Sequence, residues 1–214
     1  MRVLRRAYWV AVLLVLGSVI SATSAAAQGR VRGLLRLGGD YGGDPVLQFR
    51  YSDGSTPEVT SGGGILLLAG ATVRAIESGV HGLDAQLSAG LKYRTIPPAD
   101  NQDATWLRFP VEALLFYAAP RNVRVGGGAV VHFGNVLRTS GDAIEGRIEF
   151  QSTPGAIFQA EYHRGNVAFD ARYTLLRYKV DDDVSESVNA NSFGLGLSFL
   201  FGRQADKAAP RQPA

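Results

Sequence analysis

The chain has no cysteine among its 214 residues. That excludes disulfides, zinc–thiolate centres and a lipidated cysteine at the head of a mature protein. Histidine is scarce. His81, His132 and His163 share no close ligand spacing, so no metal site is expected. Gly62-Gly63-Gly64 and Gly126-Gly127-Gly128 lack the Lys-Ser/Thr ending and the following helical pattern of a phosphate loop. No nucleophile elbow is present. The enzymatic reading is thereby reduced to His132 with Ser140 or a loop acid, and the chain is expected to be no enzyme, with no catalytic residue and no cofactor. Beyond residue 27, no stretch has helical apolar periodicity or the length to cross a bilayer as a helix.

An excess of one charge is also missing once the first segment is set apart. Residues 1–27 read as a cleavable signal peptide: Arg2, Arg5 and Arg6, an apolar stretch from Tyr8 to Ile20, then Ala25-Ala26-Ala27 before Gln28. The apolar stretch is about 13 residues, short of the roughly 20 that a spanning helix needs. Three of the 22 basic residues and none of the 19 acidic ones lie in this segment, so the remainder is formally neutral. No basic patch with interleaved aromatics follows, and no nucleic-acid partner is expected. Export and neutrality point to the bacterial envelope.

What is present is alternation with a period of two, the mark of a strand with two different surroundings. It is clearest over residues 83–95. Leu83, Ala85, Leu87, Ala89, Leu91 and Tyr93 take one face; Asp84, Gln86, Ser88, Lys92 and Arg94 take the other. Eight such segments are expected: 30–41, 64–75, 83–95, 105–117, 123–133, 147–162, 167–180 and 192–201. Thr153-Pro154-Gly155 predicts a kink or bulge in the sixth. In the seventh the phase slips after Leu175, as one bulged residue would cause, and Leu176, Tyr178 and Val180 continue its apolar face. Leu34, Leu66 and Leu68 interrupt otherwise polar faces. Residues 46–51 also alternate and fit a hairpin arm in the first long loop or an extension of a neighbouring strand, with a ten-stranded barrel as the competing count.

Connections alternate between short and long, as in small membrane barrels with tight turns inside and longer loops outside. The aromatics add a second sign. Tyr41, Tyr93 and Tyr178 fall near one end of their strands, and Tyr117, Tyr162, Phe169, Phe199 and Phe201 near the other. Two such girdles are expected at the membrane interfaces, whereas a soluble sandwich places its largest residues mid-strand. The reading is an all-β, eight-stranded antiparallel up-and-down transmembrane β-barrel over 28–202, followed by a polar tail, 203–214. Its polar faces then line a lumen. Arg32, Arg36, Arg74, Lys92, Arg94, Arg108, Arg124, Arg147 and Arg172 point inward with Asp84, Glu112, Glu149, Glu161 and Asp170. An eight-stranded lumen is just wide enough for side chains to fill it, so these charges are expected to pair and plug it. Their excess of arginine leaves a narrow anion-biased path as the alternative.

Ser192-Phe-Gly-Leu-Gly-Leu-Ser-Phe-Leu-Phe201 resembles the closing strand of outer-membrane barrels, which typically ends in an aromatic residue. The run 107–117, followed by 123–133, resembles a hairpin of small OmpW-, OmpX- and OmpA-type barrels. Here the chain continues past Gly202 with its polar tail, where those proteins usually stop. The resemblance implies an outer-membrane location and a structural or surface-interaction role. Expected partners are outer-membrane lipid, lipopolysaccharide and, during biogenesis, the barrel-assembly machinery, with the protein itself a monomer. The OmpW likeness implies a conduit for small, hydrophobic molecules as the alternative.

Overall fold

Tight turns decide where this chain reverses. Ser78 pairs with His81 across Gly79-Val80, and Arg164 pairs with Val167 across Gly165-Asn166. In both, the first turn residue is a glycine with positive φ (60° and 64°), as two-residue hairpins require. The computed structural model describes residues 31–48, 54, 56, 58–99, 102–141, 146–180 and 183–202. The signal-like segment 1–27 and the tail 203–214 lie outside the described residues.

The elements are β1 (Val31–Tyr41), β2 (Pro45–Gln48), β3 (Glu58–Thr60), β4 (Gly64–Ser78), β5 (His81–Ala99), β6 (Gln102–Ala119), β7 (Val123–Gly141), β8 (Gly146–Ser152), β9 (Gly155–Arg164), β10 (Val167–Leu175), β11 (Arg177–Val180), β12 (Asp183–Asn189) and β13 (Ser192–Phe201). Eight of them close a ring, in the order β1-β4-β5-β6-β7-β9-β10-β13 and back to β1, every neighbour antiparallel. Closure leaves no sheet edge within the ring, the condition under which strands cross hydrocarbon. The chain is therefore an eight-stranded up-and-down transmembrane barrel. Residues 45–48 join no ring. They pair with β3 in a hairpin of the first long loop, Leu47 opposite Val59.

Outside the ring, the face is apolar and uncovered. Leu37, Ile65, Leu115, Leu195, Phe158 and Phe199 are each 51–62% exposed. Inside, Arg36, Arg108, Glu112, Lys92 and Arg172 are at most 3% exposed. A water-soluble protein has the reverse arrangement.

Beyond the ring at the loop end, the sheet continues as β8, β11, β12 and the far halves of β5, β6 and β7. Its polarity turns over. The inward residues Ala104, Trp106, Leu137, Phe150, Leu176 and Tyr178 are buried and form one apolar cluster with Val59 of the loop hairpin. The outward residues Arg138, Arg147, Glu149, Gln151, Arg177 and Lys179 are exposed. Where the outside is water, the apolar side faces in.

Two expectations change in consequence. Arg147 and Glu149 do not line the lumen. They point outward and form an ion pair, 2.5 Å long, with both side chains about half exposed. The break at Thr153-Pro154 is the cause: buried positions are even in β8 (Phe150) and odd in β9 (Ile157, Gln159, Glu161), so the intervening irregularity inverts the phase. Tyr178 is not an interface aromatic but is wholly buried. No phase slip follows Leu175. Arg172, Thr174, Leu176 and Tyr178 all stay on the inward side, and only the chemistry of that side changes.

Candidate functional site

The lumen holds two groups of ions, each built from residues that strand parity turns inward, and most of the pairs span an intervening strand or the lumen itself. At mid-height Arg36 of β1 grips Asp170 of β10, with Nη2–Oδ1 at 2.5 Å and Nε–Oδ2 at 3.0 Å. Arg172 of β10 reaches across to Glu112 of β6, Nη2–Oε1 2.5 Å and Nη1–Oε2 3.4 Å. Lys92 of β5 meets Asp40 of β1 at 2.6 Å. Such forked and buried pairing is what low-dielectric surroundings demand of a charge. Glycine makes the room. A Cβ at Gly196 would lie 2.6 Å from Arg36 Nη2 and 2.8 Å from Asp170 Oδ2.

Among the described residues, Arg108 is the cation of this group that meets no carboxylate. Its Nη1 donates to Ser61 O (2.5 Å), its Nη2 to Gly63 O, and it lies 4.6 Å from the Trp106 ring centre. Lys92 Nζ donates to the carbonyl between them, Gly62 O, at 2.6 Å. Three consecutive carbonyls of the first loop are thus held by two lumen cations. Ser61 Oγ donates to Asn189 O at 2.5 Å, and Asp44 N donates to the same carbonyl at 2.7 Å. The loop hairpin is tied down across the loop end, with Val59 buried in the apolar cluster.

The second group lies at the turn end. Arg124 Nε donates to Glu161 Oε2 (2.5 Å), Nη2 to Gln86 Oε1 (2.9 Å), and Nη1 stands 3.5 Å from Asp84 Oδ2. Its guanidinium caps the Phe116 ring at 4.2 Å. Arg74 also pairs with Asp84, and His163 Nε2 lies 2.8 Å from Glu161 Oε2. Arg32 is half-buried beside them and donates to Asn166 Oδ1 at 3.1 Å. Arg94, by contrast, lies at the loop end, half-buried, with Trp106 of the apolar cluster as its register partner.

Asp40, Gln86, Gln159 and His163 belong to these networks although the charge pattern alone did not single them out. Parity with Arg36 on β1 and with Glu161 on β9 was the available signal. His132 is buried, with Nδ1 2.6 Å from Tyr178 Oη, while Ser140 is exposed on the outside of the extension. The two do not meet. Of the interface aromatics, Tyr41, Tyr93, Tyr117, Tyr162, Phe169, Phe199 and Phe201 stand on the exterior. Tyr41, Phe193 and Tyr173 align across three strands toward the loop end.

No family model matches this chain, and no curated protein matches it. Among solved structures it is similar to Ail, the attachment invasion locus protein of Yersinia pestis, in complex with the heparin analogue sucrose octasulfate. The TM-score is 0.47 at 14% identity, covering 81% of this chain and 99% of that one. It is similar to Neisserial surface protein A, with TM-score 0.43 and 14% identity over 79% of this chain and 96% of that one. It is similar also to the outer membrane protein AlkL in lipid bilayers, with TM-score 0.41 and 15% identity over 83% of this chain and 92% of that one.

Proposed function

We propose that this chain is an integral outer-membrane protein with a structural and surface-interaction role. Its lumen is closed by ion pairs and by the tied-down first loop, and its loop end faces the cell exterior. The reading is carried by the change of polarity along the sheet: over the ring the exterior is apolar and the interior carries the buried charges, beside Leu34, Leu66, Leu114 and Phe116, and beyond the ring the exterior is polar and the interior apolar. That change fits a hydrocarbon layer at the ring and water at the extension. The outer face of the extension supports contact with lipopolysaccharide. Among the described side chains, Arg138, Arg147, Arg177 and Lys179 are exposed there, against exposed Glu149 and half-buried Asp103. Phosphate-bearing head groups just above the hydrocarbon are the chemistry such a face attracts. The barrel-assembly machinery would serve it during biogenesis.

Fractionation of a Gram-negative host, with heat-modifiable gel mobility, tests location and closure of the barrel. The expected result is an outer-membrane band that migrates faster unboiled; release by a salt wash without detergent would sink the reading. Replacing Arg138, Arg177 and Lys179 with Gln is expected to lower co-purified lipopolysaccharide without altering heat modifiability.

A second reading, a narrow path for anions, is favoured by Arg108, whose lumen partners are loop carbonyls and not a carboxylate. Planar-bilayer recording separates the two. The closed-lumen reading expects no steady single-channel step.

A further inference from the structure

The turn end of the barrel opens into a cavity of about 470 Å³, lined by Arg32, Arg74, Arg121, Arg124, Asp84 and His163 among others. The two inner carboxylates here are already engaged. Asp84 is shared by Arg74 and Arg124, and Glu161 by Arg124 and His163. Two further guanidinium groups line the same space without an ion-pair partner among the described residues. Among the described residues, Arg32 has Asn166 Oδ1 and the Leu200 carbonyl as acceptors, and its buried Nε meets none. Arg121 is exposed on the turn between β6 and β7. Glu77 is the remaining acidic residue on the lining, exposed at the rim.

We propose that this mouth is a binding site for a compact multivalent oxyanion, a phosphate or carboxylate group, held by Arg32 and Arg121. The engaged pairs behind them cancel, so Arg32 and Arg121 against Glu77 leave the wall with a positive surplus, and a concave wall of low dielectric concentrates that field. A guanidinium fork suits the planar or tetrahedral oxygens of such groups. Arg74 and Arg124 cannot turn to the anion without abandoning Asp84 and Glu161, so the two unpaired arginines are the recognising groups. The site does not depend on what the loop end binds or on whether the lumen conducts.

The test uses the full chain in lipid nanodiscs, with backbone amide shifts followed during titration with pyrophosphate and, separately, with tricarballylate. The expected result is a saturable shift at Asn122, Gly165 and Asn166 with Gly62 and Gly63 unmoved, and about a tenfold loss of affinity in each of Arg32→Gln and Arg121→Gln. Arg121 sits on a solvated turn, so its variant reports on binding even if Arg32→Gln folds poorly. Saturation with pyrophosphate alone assigns the site to phosphate groups, with tricarballylate alone to carboxylates, and either supports it. Shifts that do not saturate, that spread to the loop end, or that persist unchanged in Arg121→Gln overturn it.

Discussion

At the scale of single residues, the lumen is governed by the cost of an unpaired charge. Glu112 is 1% exposed and accepts both terminal nitrogens of Arg172, itself 3% exposed. Glu112→Ala strands that guanidinium and is expected to cost about 3 kcal/mol, read as a lowered urea midpoint for loss of the fast-migrating form. The double change Glu112→Leu with Arg172→Met removes both charges and is expected to recover most of the loss. Gly196 acts at the same scale by having no side chain. Gly196→Val drives two methyl groups into the Arg36–Asp170 pair, with an expected cost of about 1–3 kcal/mol for overpacking, measured the same way. Arg108→Met leaves the carbonyls of Ser61 and Gly63 without their donor. It is expected to speed protease cleavage of the first loop in intact cells while the barrel keeps its heat modifiability.

At the scale of elements, the loop-end extension behaves as a small water-soluble sheet built onto the barrel. Its core is Trp106, packed against Phe150 at 5.1 Å and Tyr178 at 5.8 Å between ring centres, with its indole N–H donating to Asn135 Oδ1 at 2.5 Å. Trp106→Ala is expected to cost about 3–5 kcal/mol of local stability. Amide exchange should rise most across β8, β11 and β12, rise less where the same cluster runs into the ring at Leu114, Phe116, Val130 and Ile157, and stay slow in β13; equal loosening of all eight ring strands would contradict a core centred on the extension. The β12 edge is not left bare. The first loop meets it through Asp44 and Asn189, each donating a backbone N–H to the other residue's oxygen, which is one way sheets protect an edge.

At the scale of the whole molecule, the bilayer is the second solvent. Leu195 and Val136 both point away from the barrel axis, Leu195 59% exposed and Val136 half-buried. They differ in height: Leu195 belongs to the ring, and Val136 to the extension, opposite Glu149. Leu195→Lys is expected to cost about 2–4 kcal/mol and Val136→Lys nearly nothing, compared by folding into vesicles against urea. Equal costs would remove the case for a hydrocarbon band around the ring.

Much of this architecture could be read directly from residue order. Alternation along 83–95, glycine-bearing short turns and long polar loops sufficed for eight strands, for their antiparallel order and for the inward side of Arg36, Glu112, Glu161 and Asp170. These are properties of one strand and its turn, and a period of two expresses them locally. Partners were not legible, because parity names a face and not a neighbour: that Glu112 meets Arg172 while Arg108 takes loop carbonyls depends on the tilt and stagger of strands around the ring. Nor was phase secure beyond an irregularity, so Arg147 and Glu149 changed sides at Thr153-Pro154. Tyr178 shows the deeper reason. An apolar residue on a strand belongs outside in hydrocarbon and inside in water, and only the height of its strand in the assembled barrel decides which solvent it meets.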